Sequence, residues 1–175
     1  MRSIGLLLAT FLLLALESPF LHRGGVTQYT PDLALLVVLY IGQTSKLENG
    51  VLLALIVGIL KDGFALGSVP VGMYAEISVL AFLVSYQLSK RVAVQGAITT
   101  MLVGLLFVVG ASILELLFSL LFVKGFGADG GGSSVILGSM IPQALATAPF
   151  GPVVFWLFDK LDGVTIRKRD TVTMG

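Results

Sequence analysis

The chain has 175 residues, of which 56% are hydrophobic and 12% are charged, and its mean hydropathy is +0.99. Soluble domains carry roughly 25% charged residues, so this composition favours a membrane protein over a soluble one. The formal net charge of +1 gives no basic face for nucleic acid, and the absence of cysteine excludes disulfides and cysteine-bound zinc.

The apolar residues lie in runs long enough to cross a hydrocarbon layer of roughly 30 Å as helices. In chain order we predict helices over residues 3–21, 31–44, 49–65, 70–89, 94–123 and 134–160. The first is interpreted as a retained helix, because Ala15-Leu16-Glu17 is not a signal-peptide cleavage pattern. The sequence therefore predicts an all-α integral membrane protein, one six-transmembrane-helix domain over residues 1–175 with a basic tail over 161–175.

Charged and capping residues mark two of these helices. Thr30 can cap the second helix, Pro31 suits its first turn, and Asp32 complements the positive end of the helix dipole. Lys61 and Asp62 follow the apolar part of the third helix, so we expect them at the membrane interface, with the lysine stem reaching along apolar surface.

Three prolines interrupt the sixth predicted helix, at Pro142, Pro149 and Pro152. Each removes a backbone donor and disturbs the preceding turn, so a kinked or broken helix is expected. Broken helices can line transport sites, and they also occur in plain packing.

The distribution of Lys and Arg predicts the orientation of the chain. With the N-terminus in the cytoplasm, eight of the 11 basic residues fall on the inside and three on the outside. This asymmetry favours cytoplasmic termini and places the connections at residues 22–29, 63–69 and 125–132 outside. The role of the glycine-rich segment at 125–132 stays open.

Four acidic residues lie in or beside the predicted helices, namely Asp32, Asp62, Glu76 and Glu115. An intramembrane aspartyl protease would need two facing carboxylates near the middle of the membrane, whereas Asp62 lies near a helix end. Capping and interhelical hydrogen bonding explain Asp32 and Asp62 without chemistry, and Glu76 and Glu115 stay ambiguous. His22 is predicted to be a solvated loop residue. We therefore predict no catalytic, cofactor-binding or metal site and no enzymatic activity.

Small residues recur at four-residue spacing on the third helix, at Gly50, Ala54 and Gly58. Such a stripe lets another helix backbone approach closely. We expect it to pack either inside the bundle or against a partner helix.

The segment from Gly58 to Gly72, which contains Asp62 and Gly67, resembles the rod shape-determining MreD family, as does the Pro31-Asp32-Leu33 start of the second helix. The motif resemblance covers about residues 30–91. Size, helix layout and the basic tail extend it loosely over the whole chain. Pro31, Asp32, Asp62, Gly67 and Gly72 are the structural positions that the resemblance implies.

The resemblance implies a non-enzymatic scaffold of the bacterial inner membrane that takes part in cell elongation. Such a protein would bind MreC and support regulation of peptidoglycan synthesis by RodA and its class B penicillin-binding protein. The family is also similar in fold to the substrate-binding subunits of energy-coupling-factor vitamin transporters, which makes a vitamin-binding subunit the main alternative.

Overall fold

The computed structural model describes residues 2–21, 30–64, 72–91, 96–126 and 132–172. All regular secondary structure in these ranges is helical, which confirms the predicted all-α class. The helices are α1 (Arg2–Leu21), α2 (Leu33–Thr44), α3 (Leu47–Phe64), α4 (Met73–Ser89), α5 (Ala97–Phe126), α6 (Gly132–Thr147) and α7 (Phe150–Val172).

The short helix α2 lies at the centre of the fold. Every residue from Leu33 to Gly42 is buried, and α2 contacts α1, α3, α4, α5 and α7. Its 12 residues span roughly 18 Å. The hydroxyl of Tyr40 lies 2.8 Å from Asp162 Oδ2 and 3.0 Å from Asp159 Oδ1, and it can donate its proton to either. These contacts join the far part of α2 to α7.

The sixth predicted helix is two helices. α6 ends at Thr147 and α7 begins at Phe150, and the two axes differ by 51°. The break lies at Ala148 and Pro149, where the proline ring disfavours helical geometry in the residue before it. The predicted break is thus confirmed, whereas the predicted end at residue 160 is wrong because α7 continues to Val172.

The N-terminus of α2 also differs from the prediction. Asp32, and not Thr30, is the N-cap residue, and its carboxylate accepts a hydrogen bond from the Leu35 amide at 3.0 Å. Pro31 therefore precedes the cap and does not lie in the first turn. Aspartate is the stronger capping residue of the two, which accounts for the shift.

Helix α1 buries two polar side chains beside leucines on its inner face and exposes large apolar side chains on its outer face. The buried positions at three- or four-residue spacing are Leu6, Thr10, Leu14 and Glu17. The outward positions include Ile4, Leu8, Phe11, Leu12 and Leu16, and these side chains are 48% to 70% exposed. The same outward spacing of large apolar residues recurs on α6 at Leu137, Ile141 and Leu145.

Among the described residues, one helix is long and apolar enough to cross a membrane by itself, Ala97–Phe118 within α5. The bent pair of α6 and α7 adds a second if the two form one span. Apolar but shorter helices cover Ser3–Glu17, Leu33–Thr44 and Met73–Ser89. Helix α3 falls outside both groups.

Candidate functional site

A set of charged and polar side chains connects the ends of several helices, and we call it the bundle-end network. Its members are Glu17, Asp32, Lys61, Asp62, Tyr74, Glu115 and Thr147. The sequence predicted Asp32 and Asp62 as helix-end groups, and it left Glu115 ambiguous.

Asp32 joins three helices at the start of α2. Its Oδ2 lies 2.6 Å from Lys61 Nζ of α3, while its Oδ1 caps α2. Its backbone amide donates to Thr147 Oγ1 at the end of α6, at 2.9 Å. The side chains of Asp32 and Lys61 are 7% and 17% exposed, so this ion pair is screened little by solvent.

Asp62 caps the helix that follows its own. Its carboxylate accepts hydrogen bonds from the amides of Gly72 at 3.0 Å, Tyr74 at 3.1 Å and Ala75 at 3.3 Å. These amides lie at the start of α4, where the helix dipole favours a negative charge. Gly72 has φ of +100°, a left-handed conformation that favours glycine over other residues.

Tyr74 extends the bundle-end network to α5. Lys61 Nζ lies 4.3 Å from the centre of the Tyr74 ring, within the range of a cation–π contact. The Tyr74 hydroxyl donates to Glu115 Oε1 at 2.7 Å. Glu115 is thus held by a neighbouring helix, which is one way to accommodate a carboxyl group within a long apolar helix.

Glu17 brings α1 to the same end of the bundle. It is 6% exposed, and its carboxyl group lies near the Leu33 backbone, Asp32 and Lys61. Its Oε2 has no hydrogen-bond partner among the described residues. Glu17, Asp32 and Asp62 therefore bring three carboxyl groups to this end of the bundle.

The small-residue stripe on α3 faces α4 inside the chain. A Cβ atom on Gly50 would collide with the Phe82 ring, and a Cβ on Gly58 would lie 2.6 Å from the Tyr74 carbonyl oxygen and closer still to Ala75 Cα. Ala54 is fully buried. The stripe therefore allows close packing of α3 against α4, and its surface is already covered.

The structure brings Asp32 and Asp62 into one region and places Gly72 beside Asp62. Pro31 directly precedes the network, and Gly67 lies outside the described residues. Glu76 is exposed on α4 and is not part of the network.

Sequence reasoning missed Glu17, Tyr74, Thr147 and the Asp32–Lys61 pair. Two features of the sequence indicate part of the network. Thr10 and Glu17 lie seven residues apart, which places them on one helix face. In addition, antiparallel neighbouring helices bring the start of α2 beside the end of α3, and oppositely charged residues occupy those positions.

Replacing Asp62 by Ala should lower the free energy of unfolding by about 1 to 2 kcal/mol, because three amides of α4 lose their acceptor. Asn should cost less, since it keeps one acceptor oxygen. Faster amide exchange at the start of α4, with little change at the start of α2, is the signature to measure by hydrogen–deuterium exchange. Equal exchange at both helix starts would argue against capping by Asp62.

The polar groups of the network act mainly on each other and on helix ends. In the described ranges, no three His, Cys, Asp or Glu side chains form a group suited to a metal ion. Comparisons with protein-family models, curated proteins and solved structures give no match to this chain.

Proposed function

We propose that the chain is a multi-pass protein of the bacterial inner membrane that serves as a non-enzymatic scaffold for cell elongation. In this proposal it crosses the membrane six times, with both termini in the cytoplasm. It binds MreC and thereby supports regulation of peptidoglycan synthesis by RodA and its class B penicillin-binding protein. The partner identities come from the sequence resemblance of residues 30–91 to the MreD family.

The observation that carries the membrane part of this proposal is the apolar outer surface of the helices. On α1, Thr10 and Glu17 are buried while Ile4 and Leu16 are 70% and 68% exposed. On α5, the apolar window has a mean hydropathy of 2.5, and 17% of it lies buried inside the chain. In water this surface would be a large exposed apolar patch, and in a bilayer it is covered by lipid or by a partner.

The short helices are compatible with membrane insertion because α2 is wrapped by protein. A helix of 12 residues is too short to span roughly 30 Å of hydrocarbon alone. Asp32 caps its first turn, the Ser45 amide donates to the Ile41 carbonyl at its other end, and residues 33–42 are buried by protein, so this backbone does not face lipid. Non-helical backbone at membrane depth is tolerated where protein buries it.

The bundle-end network supports a role by contact. Asp32 and Asp62 are engaged in capping and ion pairing, and the interactions that they make hold α2, α3, α4 and α6 together. A bundle with an apolar outer surface is suited to binding the membrane helix of another protein. In the proposed function this outer surface makes the contact, and the sequence resemblance supplies the identity of the partner.

The test is affinity purification of the full chain co-expressed with MreC, followed by whole-complex mass spectrometry. We expect MreC to stay bound after detergent extraction and no small organic molecule to be present in stoichiometric amount. A chain that carries a bound vitamin and leaves MreC behind would instead support the transporter-subunit alternative. Repeating the purification with the tag on MreC controls for capture through the tag.

A further inference from the structure

A groove of about 390 Å³ lies between α3 and α4 on the outside of the bundle. It is lined by Leu55 of α3 and by Ala75, Glu76, Val79 and Leu80 of α4. Leu55 and Leu80 are 38% and 40% exposed, so the groove is open to whatever surrounds the bundle. Apart from Glu76, the lining side chains are aliphatic.

Exposed side chains along the two sides of the groove have the spacing that is needed to pack against a third helix. Exposed residues continue the α3 side at Leu52 and Ile59, and the α4 side at Leu83. These positions repeat at three- and four-residue intervals, which places each set on one face of its helix as a ridge. A single apolar helix can place its own side chains between such ridges.

The groove is already formed in the free chain. Ala75, which lines it, has its backbone packed against Gly58 of α3, so the two helices cannot approach further there. Asp62 also fixes the start of α4 through the amides of Tyr74 and Ala75. A preformed groove loses little conformational entropy when a partner binds.

Glu76 indicates which charge a molecule bound in the groove should carry. It lies exposed in the first turn of α4, at the end of an otherwise apolar groove, and its carboxylate has no partner among the described residues. Asp62 already occupies the amides at the start of α4, so Glu76 is not needed as a cap. A carboxylate on an apolar surface is stabilised by a cation of the molecule that covers it.

We propose that this groove binds one apolar membrane helix of a partner protein, with a Lys or Arg of that helix beside Glu76. The proposal deepens the proposed function and rests on it, since it assigns the surface that MreC would use. A second copy of this chain fits less well, because a two-fold contact through the groove would place Glu76 against Glu76. A phospholipid fits less well because its phosphate would meet the same carboxylate.

The experiment is site-specific photocrosslinking in the full chain co-expressed with MreC. A photoreactive amino acid replaces Leu80 in the groove or, as the matched control, Leu106, which is 66% exposed on α5. We expect an adduct with MreC from position 80 and at most background from position 106. Glu76→Lys should reduce the adduct and the retained MreC roughly tenfold, and Glu76→Gln should reduce them less. Glu48→Lys, at an exposed acidic residue in the first turn of α3, should have little effect.

Three outcomes would overturn the inference. They are an adduct with a second copy of this chain, an equal adduct from positions 80 and 106, and MreC retention that is unchanged in Glu76→Lys. In each of these cases the wild-type chain still retains MreC, so the proposed function survives. If the wild-type chain itself retains no MreC, the proposed function fails, and the assignment of this groove fails with it.

Discussion

Replacing Lys61 by Met is expected to lower the free energy of unfolding by about 3 to 5 kcal/mol. The substitution leaves the carboxylate of Asp32, whose side chain is 7% exposed, without the ammonium group that lies 2.6 Å away. It also removes the cation above the Tyr74 ring. A buried charge without a partner is among the most destabilising changes that one substitution can make. Denaturant titration in detergent micelles at neutral pH measures the loss.

Two further variants separate the ion pair from general damage. Asn in place of Asp32 can still cap α2, so the double variant Asp32→Asn with Lys61→Met should lose less stability than the sum of the two single variants. Lys90→Met is the control, since Lys90 is exposed over the Tyr86 ring and should contribute less than about 1 kcal/mol. Strict additivity in the double variant would contradict a stabilising pair.

Replacing Gly58 by Leu is expected to lower the free energy of unfolding by about 3 kcal/mol, at the upper end of the usual range for overpacking. The first added carbon would already collide with the backbone of Tyr74 and Ala75, which cannot move without displacing α4. Because Asp62 binds the same stretch of α4, the displacement should also disturb the bundle-end network. The melting temperature of the purified variant should therefore fall, while its retention of MreC at low temperature should stay unchanged.

Alanine variants provide a matched pair on one helix. Gly58→Ala should be destabilising, because even a single Cβ atom meets backbone there. Gly63→Ala should change stability by no more than about 0.5 kcal/mol, since nothing lies within 4 Å of that position. Normal stability in Gly58→Leu with lost retention of MreC would mean that the stripe of Gly50, Ala54 and Gly58 contacts the partner and does not pack against α4.

The helices could be predicted from sequence because their signal is local. Apolar runs, the acidic cap before α2 and the prolines near residue 149 act within a few residues of their own position. The starts of α2 and α4 lay two or three residues beyond the predicted ones, because the side chains of Asp32 and Asp62 decide which amide becomes the first of each helix. The continuation of α7 past residue 160 had no apolar signal to mark it.

The bundle-end network could be predicted only in part, because its contacts join residues far apart in the chain. Asp32 meets Lys61 across 29 positions and Thr147 across 115. Asp32 and Lys61 lie on consecutive helices, whereas no spacing rule indicates that the end of α6 lies beside the start of α2. The role of Asp62 as a cap for α4 was accessible in principle, since the two are close in sequence and the resemblance marked both Asp62 and Gly72. Glu17 carries a local signal, because helical spacing aligns it with Thr10 on one face of α1.

The proposed membrane architecture is tested most directly by labelling single cysteines from each side of the membrane, in a chain that has no native cysteine. Ser45→Cys lies between α2 and α3, and Ser133→Cys lies near the start of α6. With an impermeant thiol reagent, Ser133→Cys should react from the periplasmic side only and Ser45→Cys from the cytoplasmic side only. Reaction of both cysteines from the same side, or of Ser133→Cys from the cytoplasmic side only, would contradict the six-span orientation.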